Sequence, residues 1–229
     1  MSEPVRGVIF DMDGVLVDSY AAHLRSWRRM AAEYGRRITD GQFADAFGRT
    51  TREILALLWG HYHEEAELEA MDARKEELYR EIVATDVPAM AGARELVRGL
   101  SGAGFRLAVG SSGPAENVAV AVTALGLDEC FHRRVCGGDV ERGKPDPEVF
   151  LKAAELLGVP PRRCAVVEDA VHGVEAAVGA GMTCIGLTGS NRRETLQAEG
   201  AALVVDSLTE VAPARIAEMI DARARRPSP

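Results

Sequence analysis

Apolar residues follow two different rhythms along this 229-residue chain. From Phe105 onward, short apolar runs recur at Phe105–Gly110, Arg133–Cys136, Cys164–Val167, Thr183–Leu187 and Ala202–Val205. These runs are nearly continuous rather than alternating, as expected of parallel strands covered on both faces. Between them, Ala91–Ser101, Ala115–Leu125, Pro147–Leu157, Val171–Ala180 and Arg192–Glu199 carry helical spacing. The alternation predicts an α/β fold built on a doubly wound parallel sheet, with Val8–Phe10 as an additional first strand. Residues 19–85 contain no good strand and read as several helices, with Trp27, Met30, Ile54, Leu55, Leu58 and Leu78 as core positions. The pattern therefore predicts a core formed by residues 1–18 and 87–229 and a helical insert over 19–86. Gly14–Ser19 and Asp86–Gly92 would be the linkers, with the glycine and proline of a hinge. Met1–Pro4 and Arg223–Pro229 read as frayed ends.

Composition narrows the function classes. A net charge of −8 argues against a nucleic-acid or anionic-membrane surface, the short tail Arg223–Arg226 being the sole basic tract. An anionic substrate would then depend on a few local cations. The chain shows neither a signal-peptide pattern nor an apolar run long enough for a bilayer, so a cytoplasmic location is expected. Cys130, Cys136, Cys164 and Cys184 form no C-x-x-C pair and no Cys/His cluster, which predicts reduced, partly buried thiols rather than a zinc site.

Four segments carry candidate chemistry. The first, Val8–Ser19, delivers Asp11 and Asp13 at the end of a strand, with Gly14 next to let the backbone turn sharply. Two adjoining carboxylates need a cation, or one must stay protonated. An EF-hand loop is excluded, because its twelfth position, counted from Asp11, is Ala22. The second, Ala108–Asn117, ends a strand in Ser111, Ser112 and Gly113 and starts a helix after Pro114, a geometry that offers N–H and hydroxyl groups to phosphate oxygens. The third contains Lys144, one of three lysines with Lys75 and Lys152, in Gly143-Lys144-Pro145. Pro145 stands where a P-loop needs Ser or Thr, so no Walker A site is present. The fourth, Ala165–Gly173, places Glu168 and Asp169 at another strand end as hard oxygen donors for Mg²⁺.

These four segments, in this order, resemble the motifs of the haloacid dehalogenase superfamily: Asp11-Met12-Asp13-Gly14-Val15-Leu16-Val17-Asp18-Ser19 the first, Ser111 the second, Lys144 the third, Glu168-Asp169 the fourth. The resemblance covers nearly the whole chain and implies a Rossmann-like core with an inserted α-helical cap that closes over the site. Within the superfamily the chain is similar to β-phosphoglucomutase and related phosphatases. His23, Trp27, and Arg74-Lys75 with Tyr79 resemble cap residues of that group, and Gly48-Arg49-Thr50-Thr51-Arg52-Glu53 resembles its specificity loop with one extra residue between Gly48 and Arg52. An asparagine of the mutase site falls on Ala115, with Asn117 displaced.

The resemblance implies that Asp11 is the nucleophile and Asp13 the general acid and base. Mg²⁺ would be held by Asp11, the Asp13 carbonyl, Asp169 and Glu168, with Ser111, Ser112 and Lys144 on the phosphoryl oxygens. The expected activity is hydrolysis of a small phosphate ester, a phosphosugar foremost, with a phosphosugar mutase as the alternative. A receiver-like signalling module, which also holds an aspartyl phosphate, has its acidic motifs in the reverse order and no helical insert. The second acid, Asp13, sets the chain apart from true dehalogenases and phosphonoacetaldehyde hydrolases. Oligomeric state stays open, and a monomer is compatible with all these readings.

Overall fold

A computed structural model describes residues 5–46, 51–60 and 64–225. Six strands form one parallel sheet: β1 (Gly7–Phe10), β2 (Arg106–Gly110), β3 (Arg133–Val135), β4 (Cys164–Glu168), β5 (Thr183–Leu187) and β6 (Leu203–Val205), in the order β3-β2-β1-β4-β5-β6. The order reverses between β1 and β4, and ligands of open α/β sheets bind beyond the carboxyl ends of the strands at such a reversal. The helices of this part are α5 (Ala93–Gly102), α6 (Ala115–Leu125), α7 (Glu148–Leu157), α8 (Val171–Gly179), α9 (Arg193–Ala198) and α10 (Pro213–Ala224). The helical part holds α1 (Ser19–Glu33), α2 (Asp40–Ala46), α3 (Thr51–Trp59) and α4 (Glu65–Thr85).

Register explains the continuous apolar runs. Ile9 pairs with Ala108 and with Val166, and Val166 pairs with Cys184, so these four form one row across the sheet. All four are buried, in one cluster with Val149, Phe150 and Ala153 of α7 and Val174 and Ala177 of α8. The residues between them along each strand, such as Val8, Phe10, Leu107 and Val109, are equally buried on the opposite face, where α5 and α10 pack against the strands. Both faces are dry, which removes the alternation a one-sided sheet would show.

The chain divides into two compact units, residues 1–18 with 88–229 and residues 19–87. The two connections run side by side within the first unit: Asp18 N–H donates to the Pro88 carbonyl (2.7 Å) and Met90 N–H to the Leu16 carbonyl (3.1 Å). In the helical unit, α4 buries Leu68, Met71, Lys75, Leu78 and Ile82, a three-and-four spacing that keeps one face inward. α1 answers with Ala22, Trp27, Met30 and Ala31, and the two helices pack together. Of the expected core positions in this unit, Trp27, Met30, Ile54, Leu55 and Leu78 are buried, and Leu58 packs partly buried against them.

Strand and helix ends fall within about two residues of those predicted, as fraying at element ends allows. Two expectations need correction. The strand-and-helix pattern stopped short of α10, whose start is marked by Pro213 at a favoured first-turn position. Arg223 is not frayed: it lies in the last turn of α10, and its Nε donates to the Gly181 carbonyl at 2.7 Å. That bond and the burial of Ile216 and Ile220 hold the helix down.

Candidate active site

Phe10 pairs with Val109 on one side and Val167 on the other, so the next residues along, Asp11 and Glu168, emerge side by side at the carboxyl edge. Adjacent strands lie only about 4.8 Å apart, and the Asp11 N–H donates to the Val167 carbonyl at 3.0 Å. Asp169 follows Glu168 directly. One oxygen from each of Asp11, Glu168 and Asp169 lies within 4.8 Å of the others, and all three residues are buried.

Two glycines make room for this crowding. Gly14 has φ of 75°, and a Cβ there would run into the Asp169 carboxylate. Gly173, in the first turn of α8, faces the Glu168 carboxylate so closely that any Cβ would occupy its place. Glu168 Oε2 accepts the Ala170 N–H at 2.8 Å and Oε1 faces Lys144, so neither oxygen has another place to go.

Lys144 Nζ donates to Asp11 Oδ1 at 2.6 Å and to Glu168 Oε1 at 2.7 Å, and stands 4.8 Å from the centre of the Phe150 ring. Burial disfavours its charge, but Asp11 and Glu168 outweigh that and hold its pKa above the usual lysine value. Burial pushes the Asp11 carboxyl well up despite Lys144, with Glu168 and Asp13 adding repulsion. Asp169 is pushed up to about 7, first by burial and then by Glu168. Three carboxylates against one ammonium would leave a formal −2 in a buried place. That electrostatic deficit, together with an all-oxygen donor set, fits a hard divalent cation such as Mg²⁺.

The remaining sequence-predicted groups of this unit lie nearby or slightly apart. Asp13 is half-buried. Its carboxylate lies outside the three-acid cluster, with Oδ2 3.9 Å from where a Cβ of Gly113 would stand, beside the Ser111 loop. Ser111 is buried; its N–H donates to the Val135 carbonyl, and its Oγ accepts the Gly113 N–H at 3.0 Å. Ser112 is exposed and lines, with Gly113, Ala115, Glu116, Cys136 and Asp139, an open cavity of about 520 Å³. Asn117 does not line that cavity and is buried in the first turn of α6, while Ala115 does line it.

The helical unit brings three of its predicted residues together and separates a fourth. His23 stacks on Tyr79 at 4.3 Å, and Lys75 Nζ lies 5.9 Å from the Trp27 ring and 5.8 Å from that of Tyr79. Lys75 is buried and donates to Glu76 at 2.5 Å. Arg52 is exposed and pairs with Glu65 at the start of α4. Ten helical residues separate Glu65 from Lys75, about 15 Å of axis, so Arg52 is not gathered with Lys75 in this conformation. Gly48 and Arg49 lie outside the described residues.

Reading the sequence missed several supports. Gly173 carried a usable signal, since glycine in a helix costs about 1 kcal/mol against alanine and calls for a reason. Ser190, which hydrogen-bonds the Asp169 side chain, and Asn191, whose Nδ2 donates to the Asp169 carbonyl at 3.1 Å, lie past β5 and carried none. Nor did Glu148, whose carboxylate is held below the usual range by the Glu141 and Arg142 N–H groups and the Arg142 charge.

Residues 5–181 match the family model of haloacid dehalogenase-like hydrolases. The chain is 33% identical over 178 residues to a phosphorylated carbohydrates phosphatase of Thermotoga maritima, covering 78% of this chain and 82% of that protein. It is 34% identical over 210 residues to a validoxylamine A 7'-phosphate phosphatase of Streptomyces hygroscopicus, covering 89% and 94%. A crystal structure of a putative β-phosphoglucomutase from Thermotoga maritima superposes with a TM-score of 0.76 at 31% identity, covering 95% and 99%. With its six-stranded parallel sheet and a model match over most of its length, the chain belongs to the haloacid dehalogenase-like hydrolases.

Proposed function

We propose that this protein is a Mg²⁺-dependent phosphatase of a small phosphorylated metabolite, a phosphosugar foremost, working through an aspartyl phosphate on Asp11. The observation that carries the reading is the buried cluster of Asp11, Glu168 and Asp169 facing the single ammonium of Lys144. Similarity to phosphatases of phosphorylated carbohydrates supports the substrate class.

A bound Mg²⁺, held by Asp11, Glu168, Asp169 and the Asp13 carbonyl, would neutralise developing charge on the phosphoryl oxygens. A carboxylate oxygen of Asp11 attacks phosphorus, and the bond from phosphorus to the ester oxygen breaks. Asp13 gives its proton to that departing oxygen. Asp13, now a carboxylate, takes a proton from water as the water oxygen attacks phosphorus; the bond to Asp11 breaks and orthophosphate leaves. Ser111 and the amides at the start of α6 bind phosphoryl oxygens, with Ser112 on the same loop. Lys144 offsets the charge of nucleophile and substrate together.

Residues 19–86 act as the cap in this reading, with His23, Trp27 and Lys75 contacting the sugar. Arg52 and the Gly48-Arg49 segment would complete the specificity loop, and Asn117 would act through the fold of α6. The four cysteines are free, three of them buried, which suits the reducing cytoplasm we assign it to. No helix of the described residues is long and apolar enough to cross a membrane.

The test is phosphate release from a panel of phosphosugars with and without Mg²⁺, alongside conversion of β-glucose-1-phosphate to glucose-6-phosphate with a bisphosphate primer. Release that requires Mg²⁺ is expected. Isomerisation faster than release would replace the hydrolase by the mutase, a reading supported by the similarity to a β-phosphoglucomutase-like structure of Thermotoga maritima. Asp13→Asn should slow sugar phosphates by about 10²–10⁴-fold and an activated aryl phosphate much less. Equal losses on both would remove Asp13 as the general acid.

A further inference from the structure

Lys144 reaches Asp11 and Glu168 from a loop rather than from a strand end. Residues 136–147, between β3 and α7, make no pairing within the sheet. One carboxylate gathers their backbone. Glu148, the first residue of α7, accepts the Glu141 N–H on Oε1 at 2.9 Å and the Arg142 N–H on Oε2 at 3.1 Å. Its own N–H donates to Asp146 Oδ1 at 3.0 Å, and the Asp146 N–H donates to the Gly143 carbonyl at 3.0 Å, closing the turn that contains Lys144 and Pro145. Arg142 Nε adds contacts to Asp146 (3.1 Å) and Glu148 (3.4 Å). Glu148 therefore grips the chain on both sides of Lys144. Behind it, Val149 and Phe150 are buried in the core, so the grip is referred to a fixed helix.

An acid in the first turn of a helix has an ordinary use against the helix dipole. That use needs no contact with residues six and seven positions upstream. Both carboxylate oxygens of Glu148 are spent on such contacts, which makes the loop, not the helix start, their object.

We propose that Glu148 is a positioning residue that sets the Lys144 loop so that the ammonium stands between Asp11 and Glu168 before substrate arrives. The Glu148 carboxylate is engaged by the Glu141 and Arg142 N–H groups and by Arg142 Nε, so it acts on the site through the loop. Its effect on turnover rests on the proposed role of Lys144 at the phosphoryl oxygens; its effect on the loop does not.

The experiment compares wild type with Glu148→Ala and Glu148→Gln by two readouts. The first is Mg²⁺-dependent turnover of an aryl phosphate. The second is the rate at which an amine-reactive reagent labels each lysine, mapped by mass spectrometry. Three lysines make the map simple, and Lys75, in the other unit, serves as the internal reference. In Glu148→Ala, Lys144 should label at least about 10-fold faster while Lys75 does not change. Turnover number should fall about 30-fold with KM changed little, since displacing a charged group by an ångström costs on the order of 10²-fold. Glu148→Gln keeps the length and one acceptor oxygen, so it should recover part of both, and it carries the test if the alanine variant does not fold. Lys144 labelling at the wild-type rate in a folded variant overturns the proposal, as does faster labelling with unchanged turnover. If the wild type releases no phosphate, the proposed function fails, and the labelling rates alone decide the positioning role.

Discussion

In the α/β unit, Asp11, Ser111 and Glu168 stand at the ends of three adjoining strands whose relative positions are set by backbone pairing. In the helical unit, His23, Trp27 and Lys75 are held by side-chain packing between α1 and α4, around the Tyr79 ring. Backbone register is quantised, because a slip by one residue turns every side chain to the other face of the sheet. Helix faces tolerate exchange of one side chain for another of similar volume. The first arrangement suits a reaction centre that must not shift, and the second suits contacts that choose among substrates. Chemistry should therefore fail as a whole when the sheet edge is disturbed, while changes to the helical unit should alter substrate preference and spare the reaction.

The largest expected effect is that of Asp11→Asn. It removes the proposed nucleophile and should lower turnover of every phosphate ester by about 10⁴-fold or more. Burial already raises the Asp11 pKa, so exchanging the acid for a neutral amide should leave the thermal midpoint equal or higher. Substantial turnover in a preparation free of wild type would break the assignment.

Gly173→Ala tests the sheet edge without replacing any proposed catalytic side chain. A Cβ there would displace the Glu168 carboxylate, and with it one contact of Lys144. Turnover should fall by about 10²-fold. Overpacking should also cost about 1–3 kcal/mol of stability, read by denaturant unfolding. Unchanged activity would mean that Glu168 can move without consequence.

A pH series on the metal-free protein probes the same edge. Asp169 binds its proton more tightly folded than unfolded, with a folded pKa of about 7 against 3.8. Its ionisation therefore disfavours the fold: the metal-free protein should lose stability as pH rises from about 4 through about 7, with no further loss from this group above that. Mg²⁺ should restore it, so the Mg²⁺-induced rise in thermal midpoint should reach several degrees at pH 8 and shrink toward pH 5. A shift independent of pH would argue against Asp169 as a ligand.

The smallest effects should come from the helical unit, and they should be selective. Lys75→Met, close in volume, should weaken kcat/KM for a phosphosugar by about 10-fold and leave an aryl phosphate within about 2-fold. Arg52→Ala, at an exposed residue paired with Glu65, should weaken kcat/KM for a phosphosugar by less than about 3-fold and leave an aryl phosphate unchanged. Equal loss on both substrates from Lys75→Met would erase the division of labour between the units.

The legible parts of the molecule are those whose signal is local. The strand runs from Val8 to Val205, the helix at Ala115–Leu125 and the acids at the ends of β1 and β4 are each written in a few consecutive residues. Lys75 was half-legible. The spacing Leu68, Met71, Lys75, Leu78, Ile82 puts a lysine in an apolar row, and only the packing of α4 on α1 turned it into a buried cation beside two rings. The C-terminal helix α10 escaped the pattern, although Pro213 and the buried pair Ile216 and Ile220 mark it.

By itself the sequence determined the α/β class, marked the helical insert and singled out Asp11, Asp13, Ser111, Lys144, Glu168 and Asp169 as residues of the proposed site, because strand ends and turns are specified by neighbours along the chain. The tertiary structure alone decided that Asp11 and Glu168 share one ammonium, that of Lys144, across 133 and 24 residues of sequence respectively. It likewise decided that Gly173 yields its side-chain space to Glu168 and that Glu148 grips the loop of Lys144. Those relations depend on which strands adjoin and on how helices pack behind them, and no local run of residues records that.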